Sequence, residues 1–355
     1  MRRDRKDRNW LERLLDRLGI AGLEARAEWR LWQRALRSPW RSAVSRHHDC
    51  RGESFELVAE DGARGRGEAA HPSTGMQHEK NLGAWVEEAG RRPLSWWCRQ
   101  LQELTPSTRM ALECALLDLA ASRAGLPLYR LLNPNASGAI EVNAAAGELD
   151  EDVEARLHAL AGEGYGIAKI KLGLAPVRKE AARLRGLAVP EGMMLRLDAN
   201  RAWSDEAFGI LVETLAGLPV EGLEEPLANP DPQRLREWQA RLPFPLALDE
   251  SLLDRYRGVP PEALPVARVV LKPSRMGGLL PALDYARAAS AADRSVVFTS
   301  ALEGPVGLAA ILHLAAAWNT GVHGLATASW LESPPASLLP KQGRIRLTER
   351  PGAGL

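Results

Sequence analysis

Residues 167–173 read IAKIKLG, a short apolar stretch carrying two lysines two positions apart. Side chains of a strand alternate between its faces, so Lys169 and Lys171 point the same way. Two neighbouring ammonium groups repel. A fold keeps such a pair only in water, opposite compensating carboxylates, or where the charge does chemistry.

The stretch is one of a series. Beyond residue 138 the runs IEVNAAAG, IAKIKLG, MMLRLDAN, GLEEPL, PLALDES, VVLKPS, SVVFTS and GLATASW alternate with helical segments. Strands alternating with helices pair in parallel, and eight of them in about 190 residues predict a closed α/β barrel. One charge recurs at the end of five successive runs: Lys171, Asp198, Glu224, Asp249 and Lys272, at intervals of 27, 26, 25 and 23 positions. Barrel strands are buried on both faces, so end charges are costly unless they share the site at the C-terminal mouth.

The middle three are carboxylates, and converging anions call for a hard divalent cation. An all-oxygen set without His or Cys points to Mg²⁺, with Mn²⁺ as a substitute. Lys171 and Lys272, on the second and sixth strands, would face a bound small-molecule carboxylate from opposite walls. Lys169 and the cation would lower the pKa of Lys171 towards that of a general base. The chemistry expected is removal of a proton adjacent to a metal-held carboxylate.

The rest of the chain sets limits. With 45% hydrophobic and 26% charged residues and a net charge of +1, nothing suggests a nucleic-acid partner or a disordered chain. Cys50, Cys98 and Cys114 are too scattered for a disulfide framework and predict a reducing, cytoplasmic setting. The start MRRDRKDRNW has no apolar core of a signal peptide, and no 18-residue apolar run predicts a membrane span. Leu11, Leu14, Leu15 and Leu18 predict an amphipathic helix within residues 9–24, docked on its own protein. Residues 29–70 read as strands with a hairpin turn at Asp61 and Gly62, and helices follow from 78 to about 132. GARGRG follows that turn with no helix opening after it, so it is not read as a phosphate loop.

AKIKLG, LRLDANRAW, GLEEPL, ALDES and VVLKPSRMGG together resemble the enolase superfamily, in its muconate-lactonizing subgroup, from about residue 29 onward. The resemblance implies a modified TIM barrel, (β/α)7β, over residues 135–328. It also implies an α+β capping domain over 25–134, completed by a C-terminal segment over 329–355. Residues 1–24 form an N-terminal extension outside the pattern. The RxD of Arg196 to Asp198, KPSRMGG, and FTSALEGPVGLAAILHLAAAW are similar to the o-succinylbenzoate synthase family. That likeness implies a syn dehydration with Lys171 as base and then acid, Lys272 stabilising the intermediate, and Lys169 tuning Lys171. Asp198, Glu224 and Asp249 would hold Mg²⁺, Glu224 rather than Glu225 taking the ligand role. Arg196, Asn200, Glu250 and Ser300 would support the ligands or touch substrate, and His71 and His78 lie in a capping-domain loop. The last run ends ATASW, without the DxD of dipeptide epimerases. A racemase or epimerase, a muconate-type cycloisomerase and a metal-free Schiff-base barrel remain alternatives, and the chain could act as a monomer or a homo-oligomer.

Overall fold

Apolar side chains alternating over residues 24–70 build a long antiparallel sheet, against which the helical stretches pack. The computed structural model describes residues 4–41, 46–71 and 82–354. Helix α1 (Asp4–Arg17) leads into strands β1 (Glu24–Arg41), β2 (Arg46–Ala59) and β3 (Arg64–Ala70). Helix α2 (Leu82–Ala89), strand β4 (Arg91–Pro93) and helices α3 (Leu94–Gln100), α4 (Pro106–Arg123) and α5 (Leu128–Leu132) complete this N-terminal layer. Its sheet order is β3-β2-β1-β4, and the β2–β3 turn holds Gly62 at φ +86°.

The alternating pattern beyond residue 138 gives strands β5 (Ala139–Val142) and β6 (Ala144–Glu148), helix α6 (Val153–Gly162), strand β7 (Ile167–Lys171) and helix α7 (Val177–Arg185). Strand β8 (Met194–Asp198), helix α8 (Asp205–Ala216), strand β9 (Val220–Glu224), helix α9 (Pro232–Arg241), strand β10 (Leu246–Leu248) and helix α10 (Glu250–Asp254) follow. Strand β11 (Arg268–Leu271) precedes the short helix α11 (Pro273–Met276) and helix α12 (Leu279–Ala291). Strand β12 (Ser295–Phe298), helix α13 (Pro305–Trp318) and strands β13 (Val322–His323) and β14 (Arg344–Arg346) end the series.

Strands β6 to β12 form one seven-stranded parallel sheet in chain order. It meets β13 through a single parallel bridge, Thr299 to Gly324, and β13 pairs with β5, which runs into β6. The eighth strand lies earlier than the sequence predicted. Val322–His323 carries it, while Ala326–Trp330 of GLATASW winds into a 3₁₀ helix. Ala and Ser have little β preference, and Thr299 Oγ1 donates to the Gly324 carbonyl at 3.0 Å, where a side chain would collide with it.

The apolar stripe of α1 is buried against α3, α4 and α12, with Leu11, Leu14 and Leu15 all in the core. The helix ends earlier than residue 24 because the chain turns at Gly19, φ +68°. The C-terminal segment touches the N-terminal layer at Leu36–Leu331 and Pro127–Gly352, and β14 pairs antiparallel with β5. Among the described residues no helix is long and apolar enough to cross a membrane, and all three cysteines are buried and joined in no disulfide.

Candidate active site

Parallel pairing brings the strand-end charges into one row. Lys171 lies opposite Asp198, Asp198 opposite Glu224, and Glu224 opposite Ala247, two residues before Asp249. Lys169 Nζ lies 2.9 Å from Asp198 Oδ2 and also donates to Glu224 Oε2. Lys272 Nζ donates to Asp249 Oδ2 at 2.6 Å and to Glu250 Oε1 at 3.1 Å. Three strands separate β7 from β11, which in a flat sheet would put them about 19 Å apart. Lys169 on β7 nevertheless reaches across β8 to Glu224 on β9, and Lys272 after β11 reaches Asp249 after β10, so these two lysines close on the carboxylates from either side.

Burial sets the electrostatics. It pulls Lys171 below the ordinary lysine value; Asp198 opposes the fall, and Lys169 and Lys272 add to it. Burial acts on Lys169 too, but Asp198, Glu224 and Asp249 more than reverse it and hold that ammonium charged. Lys272 is likewise raised, its burial outweighed by Asp249 and Glu250. Asp249 is pushed up to about 8 by burial, with Lys272 opposing and Glu250 and Glu224 reinforcing. An acid competing for a proton beside a firmly charged lysine has a simple cause. Four carboxyls, Asp198, Glu224, Asp249 and Glu250, face three lysines, and Glu250 Oε2 is buried without a hydrogen-bond partner.

With all four carboxyls ionised and Lys171 neutral, the shortfall is two positive charges, which a divalent cation would supply, and an all-oxygen donor set suits Mg²⁺. Among the described residues no three acidic, His or Cys side chains are gathered tightly enough to enclose an ion, because the lysines stand between the carboxylates.

The remaining sequence candidates separate. Asn200, in left-handed backbone at φ 44°, turns its N–H onto Asp198 Oδ1 at 3.1 Å. Ser300 Oγ accepts from Leu302 N–H at the end of β12. Glu250 and Lys272 line a small cleft of about 20 Å³ with Asp249, Arg275 and Met276, a cleft that does not extend to Lys171 or Asp198. Arg196 sits one layer below the row and contacts none of these groups. It donates to Glu221 Oε2, Asn143 Oδ1 and the Val322 carbonyl, and Arg268 holds Glu221 from the other side. The register slips at this point, Leu195 pairing with Val220 and Arg196 with Gly222, which leaves Glu221 as a bulge turned onto the two arginines. His71 pairs with Glu53 and Ser107 in the N-terminal layer, and His78 lies outside the described residues.

Three buried carboxylates brace the strand-end loops: Glu225, which the sequence reading set aside as a ligand, and Glu180 and Glu303, which it did not name. Glu180 accepts from Leu174 and Ala175 N–H after β7 and from Trp203 Nε1 after β8. Glu225 accepts from the N–H groups of Asp249 and Ser251 and from Ser251 Oγ, so it supports the next loop while Glu224 faces Lys169. Glu303 accepts from Ser274 Oγ and Ala301 N–H. The EE pair gave one signal for this. Glu180 and Glu303 gave none, since what ties each to another loop is a distant partner, Trp203 and Ser274 respectively.

Comparison with known proteins agrees with this geometry. An o-succinylbenzoate synthase of Desulfotalea psychrophila is 31% identical over 234 residues, 62% of this chain and 62% of that protein's length. The structure of muconate lactonizing enzyme from Pseudomonas fluorescens, complexed with muconolactone, has the same fold, with a TM-score of 0.80 at 21% identity over 94% of this chain and 96% of that one. A dipeptide epimerase from Methylococcus capsulatus, complexed with Mg and the dipeptide L-Arg-D-Lys, matches at a TM-score of 0.74 and 24% identity, over 94% of this chain and 99% of that one. Residues 152–355, more than half of the chain, match the family model for enolase C-terminal domain-like proteins, and the chain belongs to the enolase superfamily.

Proposed function

We propose that the chain is an o-succinylbenzoate synthase. It would dehydrate 2-succinyl-6-hydroxy-2,4-cyclohexadiene-1-carboxylate to o-succinylbenzoate in menaquinone biosynthesis, in the cytoplasm, on a closed (β/α)7β barrel under an α+β capping domain. The observation that carries the reading is the charged row itself, with Lys171 paired opposite Asp198, Lys169 bonded to Asp198 and Glu224, and Lys272 bonded to Asp249. Asp198, Glu224 and Asp249 would hold Mg²⁺ or Mn²⁺, which would supply positive charge to the substrate carboxylate. Lys171, neutral, takes the proton next to that carboxylate. Its new ammonium group then hands the proton to the departing hydroxyl on the same face, releasing water. Lys272 stays charged between Asp249 and Glu250 and offsets the negative charge that develops. Lys169, fixed between Asp198 and Glu224, keeps Lys171 low.

A racemase, an epimerase or a muconate-type cycloisomerase is the second reading, favoured by the lysines on either side of the carboxylates and by the structural likenesses above. The 3₁₀ turn Ala326–Trp330 offers no carboxylate for a substrate ammonium group, which weighs against a dipeptide substrate. The test is turnover of the cyclohexadiene carboxylate with Mg²⁺, read by the absorbance of the aromatic product, with EDTA as control. An absence of turnover, together with solvent deuterium entering recovered N-acylamino acid, would replace the synthase reading with the racemase one.

A further inference from the structure

Helices α12 and α13 start at Gly278 and Gly304, and neither receives a cap from a side chain of its own first turn. Their first N–H groups would be left unpaired without an outside acceptor. The acceptors come from the N-terminal layer. Glu113 of α4 takes the N–H of Leu280 on Oε1 at 3.0 Å and also faces that of Leu279. The carboxylate of Glu68 of β3 lies against Gly304 at the start of α13. Both glycines are required by this contact. A Cβ at Gly278, where φ is +139°, would lie 2.3 Å from Glu113 Oε1, and one at Gly304 would lie 2.2 Å from Glu68 Oε1.

Burying these carboxylates is costly. Desolvation pushes both up to about 7, against Arg109 beside Glu113, and against Arg34 beside Glu68, where Glu303 adds to the rise. Each also keeps one oxygen, Glu113 Oε2 and Glu68 Oε1, buried without a hydrogen-bond partner. The two helix starts are rigidly joined to strand ends of the site. Arg275 and Met276 N–H bond to the Lys272 carbonyl, and Gly278 N–H bonds to that of Pro273. On the other side Leu302 N–H bonds to Ser300 Oγ, and Glu303 holds Ala301.

We propose that Glu113 and Glu68 are positioning residues, which cap α12 and α13 from a different layer of the protein and thereby fix where Lys272 and Ser300 stand. The inference rests on the proposed roles of Lys272 and Ser300, and its test has an arm that needs no reaction. Glu113→Met and Glu113→Gln in the full chain have similar volume and differ in whether they offer an acceptor. Hydrogen exchange followed by mass spectrometry should show the segment 272–283 exchanging about tenfold faster in Glu113→Met, with 300–308 unchanged, and restored in Glu113→Gln. Glu68→Met should reverse that pattern. In turnover, Glu113→Met should lower kcat at least tenfold with KM within threefold, Glu68→Met should raise KM, and the Gln variants should recover both.

Unchanged exchange in the Met variants would overturn the capping. Faster exchange with wild-type kcat would overturn the positioning. Should Glu113→Met not fold, Glu113→Asp, one methylene shorter, is expected to give intermediate values in both arms, and wild-type values there would overturn the proposal. Full turnover in Lys171→Ala would instead refute the proposed chemistry, and the exchange arm would still decide the capping.

Discussion

Removing Glu221 separates structure from chemistry in this molecule. Its carboxylate is shared by Arg196 and Arg268, whose side chains are 1% and 10% exposed. Glu221→Leu leaves two guanidinium groups buried without their anion, and breaking a buried ion pair from one side costs about 3–5 kcal/mol. Two stranded cations place this variant at the upper end, about 5 kcal/mol. Arg196→Met is milder, because Glu221 keeps its two bonds from Arg268 while Asn143 Oδ1 and the Val322 carbonyl lose a donor; about 3 kcal/mol is expected. Replacing all three by Met, Leu and Met should restore most of the loss, since an apolar core of similar volume often equals a buried ion triad. The assay is urea denaturation, reading the shift in midpoint at constant m-value. Burial raises the Glu221 carboxyl, and Arg196 and Arg268 outweigh that and hold it low. Its contribution is therefore present above the ordinary carboxylate range and lost as pH falls through the depressed value. A Glu221→Leu variant within 1 kcal/mol of wild type would refute the reasoning, as would an Arg196→Met variant of full stability that has lost turnover.

Other expectations are more direct. Lys171→Ala should lose about 10²–10⁴-fold or more in turnover, the usual share of a general base, while its circular dichroism and Mg²⁺ binding match wild type. His313 accepts the Tyr129 N–H on Nδ1 and is pushed down to about 4 by burial. A group depressed in this way contributes stability that is complete above pH 6.5 and lost as pH falls towards 4, roughly 3 kcal/mol in all. A His313→Gln variant should flatten that acid limb in a melting-temperature series, and an unchanged limb would assign it elsewhere. Leu15, fully buried beneath α1, should cost about 2–5 kcal/mol when replaced by Ala; a loss near zero would mean that α1 is not docked in solution.

The strand rhythm was legible because a strand buried on both faces is an apolar run, and a charge at its end stands out. For the same reason Lys169, Lys171, Asp198, Glu224, Asp249 and Lys272 could be read as one row. Depth was not legible. The period of two that puts Arg196 on the face of Asp198 says nothing of height, and two residues of strand lower it about 6.6 Å, into the layer of Glu221. The bulge at Glu221 was hidden because a one-residue slip leaves the composition unchanged. Glu68 and Glu113 were hidden because their partners lie more than 150 positions away in the chain. ATASW was read as a strand from its place in the rhythm, although its small residues form a turn.

The pairing of β5 with β13 and β14, and of Pro127 and Leu128 with Gly352, bears on how the protein is born. The N-terminal layer is made early, yet some of its contacts are made by residues more than 200 positions later in the chain. At 5–20 residues per second, the 224 residues between Leu128 and Gly352 take about 11–45 s to synthesise. Throughout that interval the Leu128 N–H and the Asp118 carboxylate of α4 are without Gly352 and Ala353, their partners in the finished fold. The β1–β2 and β2–β3 hairpins need only local contacts and are free to form at once, whereas the pairing of β5 with β13 and β14 waits for about 180 further residues.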